Sequence, residues 1–196
     1  MPVLVLVKHS LPVVDPAVPS REWRLSEEGQ VRSLILAEKL GPYNLDMIFS
    51  SNEPKAIETA SISANRLNVP VEVVEGLHEH ERRNVGFLEK DCFEQSISRF
   101  YAQPAELVFG EETADTAYRR FSKSVEDLLE RFPQEKLALM THGTVLSLYV
   151  SRITRQDPFA MWKQLGLPSY VVLSRPDFNV IETCWNASDT QSRNVV

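Results

Sequence analysis

Four histidines carry the reactive potential of this sequence: His9, His78, His80 and His142. An imidazole of near-neutral intrinsic pKa keeps a large unprotonated fraction at pH 7, so it can attack an electrophile, relay a proton or ligate a metal. His9 and His142 follow closely on short apolar runs, Val3-Leu4-Val5-Leu6-Val7 and Leu137-Ala138-Leu139-Met140. Such runs fit strands buried on both faces, and in an open α/β sheet ligands gather beyond the carboxyl ends of the strands. Parallel strands would bring the two imidazoles to one edge of the sheet. Either histidine alone reads as an ordinary loop residue; the pair in equivalent positions points to a site. His78 and His80 alternate with Glu79 and Glu81, and side chains two apart on an extended segment share a side. That spacing suits a shared metal ion, but no third ligand of characteristic spacing accompanies it, and no metal is assigned.

The elements that must position these groups alternate between strands and helices. After the first strand, Pro12, Pro16 and Pro19 keep the chain irregular. Ser26 with Glu27 and Glu28 opens a helix that Gly41-Pro42 stops. Asp46 to Ser50 reads as a second strand, Ser51 or Asn52 as the cap of a helix through about Arg66, and Val69 to Val74 as a third strand. Helices are expected over Cys92 to Tyr101 and Glu112 to Phe132, then the strand before His142 and a helix to about Ile153. A short helix over Pro158 to Leu165 and strands over Tyr170 to Leu173 and Asn179 to Trp185 close the chain, and its polar last residues are read as frayed. The fold class is α/β, a three-layer α/β/α sandwich around a mostly parallel sheet. No repeat, low-complexity tract or linker divides it, so residues 1–196 are read as one domain, with 76–111 as a segment able to cover a substrate.

Six pieces then occur in order, each at an expected strand or helix end: Lys8-His9-Ser10, Leu25-Ser26-Glu27-Glu28-Gly29, the stretch from Ser50 to Ala60 with Lys55 at its centre, Leu77-His78-Glu79, Gly110-Glu111-Glu112-Thr113 and Thr141-His142-Gly143. Together they resemble the histidine phosphatase superfamily, of phosphoglycerate mutase-like fold, over nearly the whole chain. The resemblance implies a nucleophilic His9 that forms a phosphohistidine, and Glu79 as the acid that protonates the leaving alkoxide and then the base that activates water. Glu79 is preferred to Glu81 from its place in Leu-x-Glu. His142 matches the family's second phosphate-binding histidine, and Glu112-Thr113 a supporting element that orients the pocket or caps the long helix. Gly143 and Thr144 stand at a helix N-terminus, where free N–H groups favour an anion; Thr144 reads equally as a cap.

The departures concern charge geometry. Lys8 and Lys55 stand where the family places arginines, and Ser10 replaces a glycine. Lysine keeps the charge but loses the planar bidentate fork. Lys8, Ser10, Lys55 and Gly143 are assigned to substrate binding, Ser10 with a hydroxyl that adds a donor. Arg21, Arg24 and Arg82 in flanking loops are read as surface residues able to swing toward the anion. The resulting reading is a metal-independent phosphomonoester hydrolase needing no cofactor. Its alternatives are a non-catalytic relative that keeps the phosphate pocket, and a phosphomutase. Phe87, Phe93 and Phe109 would suit a hydrophobic leaving group, or pack inward.

Lys+Arg 21 against Asp+Glu 27 gives a net charge of -6, the wrong balance for a bulk-electrostatic nucleic-acid binder. Cys92 and Cys184 lie outside any Cys-x-x-Cys, which argues against a disulfide framework or a Cys-rich zinc site. No apolar run approaches a membrane span, and no leader is read. The expected partner is a small phosphorylated substrate or phosphate, and the expected location cytoplasmic.

Overall fold

The computed structural model describes residues 2–189. Strand β1 (Val3–Lys8) is fully buried except at its last residue, as its unbroken apolar run requires of a strand covered on both faces. The other elements follow as α1 (Glu27–Leu40), β2 (Met47–Ser50), α2 (Pro54–Leu67), β3 (Val71–Val73), α3 (Lys90–Ala102), α4 (Ala114–Arg131), β4 (Leu137–Thr141), α5 (Gly143–Thr154), α6 (Pro158–Gln164), β5 (Ser169–Ser174) and β6 (Val180–Cys184). The strands form one sheet in the order β3-β2-β4-β1-β5-β6. Pairings among β3, β2, β4 and β1 are parallel, whereas β5 runs antiparallel to both β1 and β6. The sheet is therefore mixed, parallel in the half that carries the site.

The pleat divides the core between the two helical layers. Leu4 and Leu6 pack with α3, α4 and α5 through Phe100, Phe121 and Leu146. Val3, Val5 and Val7 face the other side with Leu36 and Leu40 of α1 and Ala60 of α2. Ser26 caps α1 through a bond from the Gly29 N–H, and Thr113 caps α4 through one from Thr116. The cap of α2 falls at Glu53 rather than Ser51 or Asn52, because the Ser51 hydroxyl instead accepts from the Glu53 N–H, at 3.2 Å. The third strand is shorter than the Val69–Val74 run because it lies at an exposed sheet edge. The expected frayed end lies, from residue 190 on, outside the described residues. Among the described residues no helix is long and apolar enough to cross a membrane.

Candidate active site

Register explains why the two histidines meet. Lys8 pairs with Thr141 across the parallel β1–β4 ladder, and Ser50 of β2 pairs with Met140. One residue further on, His9, His142 and Ser51 leave three adjacent carboxyl ends side by side. The His9 N–H donates to the Thr141 carbonyl at 3.0 Å, and the Ser51 N–H to that of Met140 at 2.9 Å. The His9 and His142 rings end with centroids 5.1 Å apart, edge to face. They share a cavity of about 200 Å³ with Lys8, Lys55, Glu79 and Arg82.

His9 is held as a nucleophile would be. Its Nδ1 lies 2.7 Å from the Ser10 carbonyl. A carbonyl can only accept, so the proton sits on Nδ1 and the Nε2 lone pair is left free. Burial, then the neighbouring His142 and Lys55, drive its pKa well below the ordinary histidine value, so the ring is neutral. His142 is likewise neutral, through burial and then Lys55, only partly opposed by Glu79. Its Nε2 hydrogen-bonds the Ser51 hydroxyl at 2.8 Å, while its Nδ1 is buried without a partner. A buried ring nitrogen left open in a cavity is a costly arrangement that a ligand oxygen would relieve.

The Glu79 carboxylate spans the N-terminus of α5, accepting from the Thr144 N–H at 3.1 Å and from that of Val145 at 3.3 Å. The His80 N–H donates to it as well. Burial pushes this group up, but Arg82, His142 and these N–H donors outweigh burial and hold it below the usual carboxylate range. The helix-end donors therefore serve Glu79, and the Thr144 hydroxyl is no cap, being buried without a partner.

The loop that delivers Glu79 is suspended from α4. Arg120 donates to the carbonyls of Gly76 and His78 through Nη1, and to that of Glu79 through Nη2. Its Nη2 also lies 2.6 Å from Oε1 of buried Glu112. Thr141 fastens the loop from the sheet side through a bond to the Leu77 carbonyl, at 2.7 Å. Gly76, at φ +86°, is required at the loop's entry, since a Cβ there would lie 1.9 Å from the Ser124 hydroxyl. Residues 78–81 form no strand, and of the two carboxylates only Glu79 lines the cavity of the two histidines. Glu81 lies outside the cavity of the two histidines, 3.4 Å from His78. His80 turns into the core against Phe100 and Phe109, with burial its main reason for a pKa near 4. Among the described residues no three metal-ligating side chains converge.

The cations are differently engaged. Lys8 Nζ donates to the Leu165 carbonyl at 2.8 Å, its alkyl chain running over Gly143, where a Cβ would come within 3.2 Å of Lys8 Cε. Burial lowers its pKa to about 8, with Glu79 opposing. Lys55 Nζ donates to the Ser20 carbonyl at 2.6 Å and contacts Glu53 at 2.5 Å, both side chains buried. Glu53 also accepts from the Glu79 N–H, at 2.9 Å, and approaches His142 to 3.6 Å. Ser10 is placed otherwise than expected of a pocket donor: its hydroxyl donates to the Gly29 carbonyl at 2.7 Å, tying the end of β1 to α1. Arg24 pairs with Glu58 at the surface, and Arg21 lines an outer depression. Arg82, in contrast, reaches the histidine cavity with its guanidinium 4.9 Å over the Phe93 ring and its Nη1 buried without a partner. Glu53 and Arg120 were not anticipated. Glu53 lay two residues from Lys55, and Arg120 two helical turns from Glu112, both faint signals without the fold.

Comparison with known proteins places this geometry in a family. The model of the histidine phosphatase superfamily (branch 1) matches residues 17–187. A phosphoserine phosphatase mutant from Entamoeba histolytica, solved with phosphoserine, superposes with a TM-score of 0.77 at 16% identity, covering 96% of this chain and 98% of that one. A mycobacterial glucosyl-3-phosphoglycerate phosphatase with inorganic phosphate gives 0.73 at 20% identity, covering 97% and 100%. Bacillus stearothermophilus YhfR gives 0.72 at 20% identity, covering 92% and 95%. No curated protein matches the chain. At these identities the structural likenesses speak for the fold, phosphoglycerate mutase-like, and the matched model for ancestry: the chain belongs to the histidine phosphatase superfamily.

Proposed function

We propose that the chain is a metal-independent phosphomonoesterase working through a phosphohistidine on His9. The carrying observation is one cavity that holds a neutral His9 with Nε2 free, a neutral His142, the Glu79 carboxylate and the cations Lys8, Lys55 and Arg82. In the first step Nε2 of His9 attacks phosphorus, the ester P–O bond breaks, and the leaving oxygen takes a proton from Glu79. In the second, water attacks the phosphohistidine, Glu79 accepts its proton, and the P–N bond breaks to return His9. Glu79 starts ionised, so its proton arrives with the substrate: a phosphomonoester has its second pKa near about 6, and its monoanion carries one. The residues 76–111, in this reading, wall the site within one domain of residues 1–196.

Lys8, Lys55 and Arg82 balance the equatorial phosphoryl oxygens, the main demand of phosphoryl transfer. Arg82 supplies the planar fork that the two lysines lack. Arg82→Ala is expected to lower kcat/KM by about 10- to 100-fold in steady-state assays; an unchanged value would make Arg82 only a wall residue. Lys8 is charged below and neutral above about pH 8, so kcat/KM should fall more steeply above that value than loss of the substrate monoanion alone requires. Lys8→Arg, charged throughout, should remove that added steepness and leave only the fall set by the substrate.

The test of the whole reading is hydrolysis of an aryl phosphate in excess chelator, with quenched enzyme probed for an acid-labile, base-stable phosphoryl group. Turnover with label supports it. A second reading, phosphate binding without transfer, draws support from Lys8 and Lys55 being engaged by protein acceptors; bound phosphate with neither turnover nor label would favour it.

A further inference from the structure

Beside the histidine cavity lies a second one of about 350 Å³, between the loop of residues 13–24 and residues 82–93. The two share Ser20, Trp23, Arg82 and Phe93 as lining, so they adjoin at the Arg82–Phe93 stack. The first loop is pinched at its base by the Pro12–Leu25 bridge and held against the site by the bond from Lys55 to the Ser20 carbonyl. Its inner face presents Pro16 and Val18, opposite Val85, Phe87 and Leu88. Phe87 is 48% exposed and Val18 38% exposed, although both are apolar. Phe109, in contrast, packs inward against His80 and Phe100.

The hydrogen-bonding groups along this groove are largely committed elsewhere. Trp23 Nε1 donates to the carbonyls of Asp15 and Val18, and so offers its ring rather than its N–H. Asn84 Nδ2 donates to the Gly110 carbonyl, and Arg83 Nε to Glu111. A polyhydroxylated or zwitterionic leaving group would lose hydration there for few partners in return, whereas an apolar one would gain by burial.

Resting on the phosphatase reading above, we infer that this groove is the leaving-group site and that the substrate is a phosphomonoester of a bulky apolar alcohol, of about one to two rings in size. Its phosphoryl end lies between His9 and Arg82, and its apolar end runs over Phe93 toward Phe87 and Val18.

Primary alkyl esters of similar leaving-group basicity isolate this effect from chemistry. The ratio of kcat/KM for 2-(2-naphthyl)ethyl phosphate to that for ethyl phosphate is expected at about 10 to 100, the factor carried by roughly 60–100 Å² of ring surface withdrawn from water. Phosphoserine and 3-phosphoglycerate should fall near or below ethyl phosphate. Val18→Ser with Phe87→Ser, both at exposed positions, should cut the ratio at least fivefold, while Leu107→Ser, 61% exposed and outside both cavities, should leave it. A ratio within twofold of one, a preference for the polar esters, or a high ratio indifferent to the double substitution would overturn the inference while ethyl phosphate turnover left the phosphatase reading standing. Inertness toward every ester together with no phosphohistidine would bring down both.

Discussion

His9→Ala is expected to lose at least about 10⁴-fold in kcat and all of the acid-labile phosphoryl label, while still binding phosphate. The cations and His142 remain in the variant, so the anion keeps its charge complement. What disappears is a nitrogen lone pair aimed into the cavity, held there by the bond from Nδ1 to the Ser10 carbonyl. The other cavity groups are less suited: His142 has Nε2 engaged by Ser51 and only its fully buried Nδ1 open, and the Lys8 ammonium is protonated below about pH 8. Because burial, His142 and Lys55 keep His9 neutral well below the ordinary histidine range, wild-type kcat/KM should not fall between pH 7 and pH 5 through loss of the nucleophile. Rapid-quench labelling and steady-state rates across that interval check both statements. Sustained turnover by His9→Ala with label on another residue would sink the assignment.

Glu79→Gln carries the second large effect, and it should split by leaving group. An alkoxide leaves poorly without a proton, so an alkyl phosphate should be hydrolysed about 10²- to 10⁴-fold more slowly. A nitrophenolate needs no proton to leave, so phosphorylation by its ester should slow by less than about tenfold. Hydrolysis of the phosphohistidine still needs a base, which glutamine cannot be. The variant should therefore show a burst of nitrophenol and more trapped phosphoenzyme than wild type. Glutamine can set its one carbonyl oxygen where Oε1 sits, keeping the bonds from the Val145 and His80 N–H groups and giving up that from Thr144, so the loop should stay seated. Equal slowing of both esters without accumulated label would instead indicate a role in folding the loop.

The parts of this site readable in sequence are those fixed by backbone direction. Two apolar runs each ending at a histidine suffice to predict parallel neighbours, because the carboxyl ends of such strands coincide, and Lys8 indeed lies opposite Thr141. Capping was legible at Ser26 and Thr113, where side chain and N–H lie within three residues of each other. Side-chain direction was not. Ser10 turned to Gly29 and Lys55 to Ser20, partners 19 and 35 residues away. Arg82 could only be told from Arg21 and Arg24 once Phe93 was known to stack beneath it. The antiparallel course of β5 was equally hidden, since a strand of six buried residues looks the same in either direction.

The buried pairing of Lys55 with Glu53 bears on how the cycle ends. In the proposed cycle each turnover would finish with inorganic phosphate among the cations that bind it, and product departure limits many enzymes. A cation left facing an empty, water-poor cavity resists that departure, because its charge then goes unbalanced. Lys55 has a carboxylate within reach when the anion goes. On the proposed reading the site carries its own counter-ion, which would ease emptying and set affinity for the product below what three unpaired cations would impose.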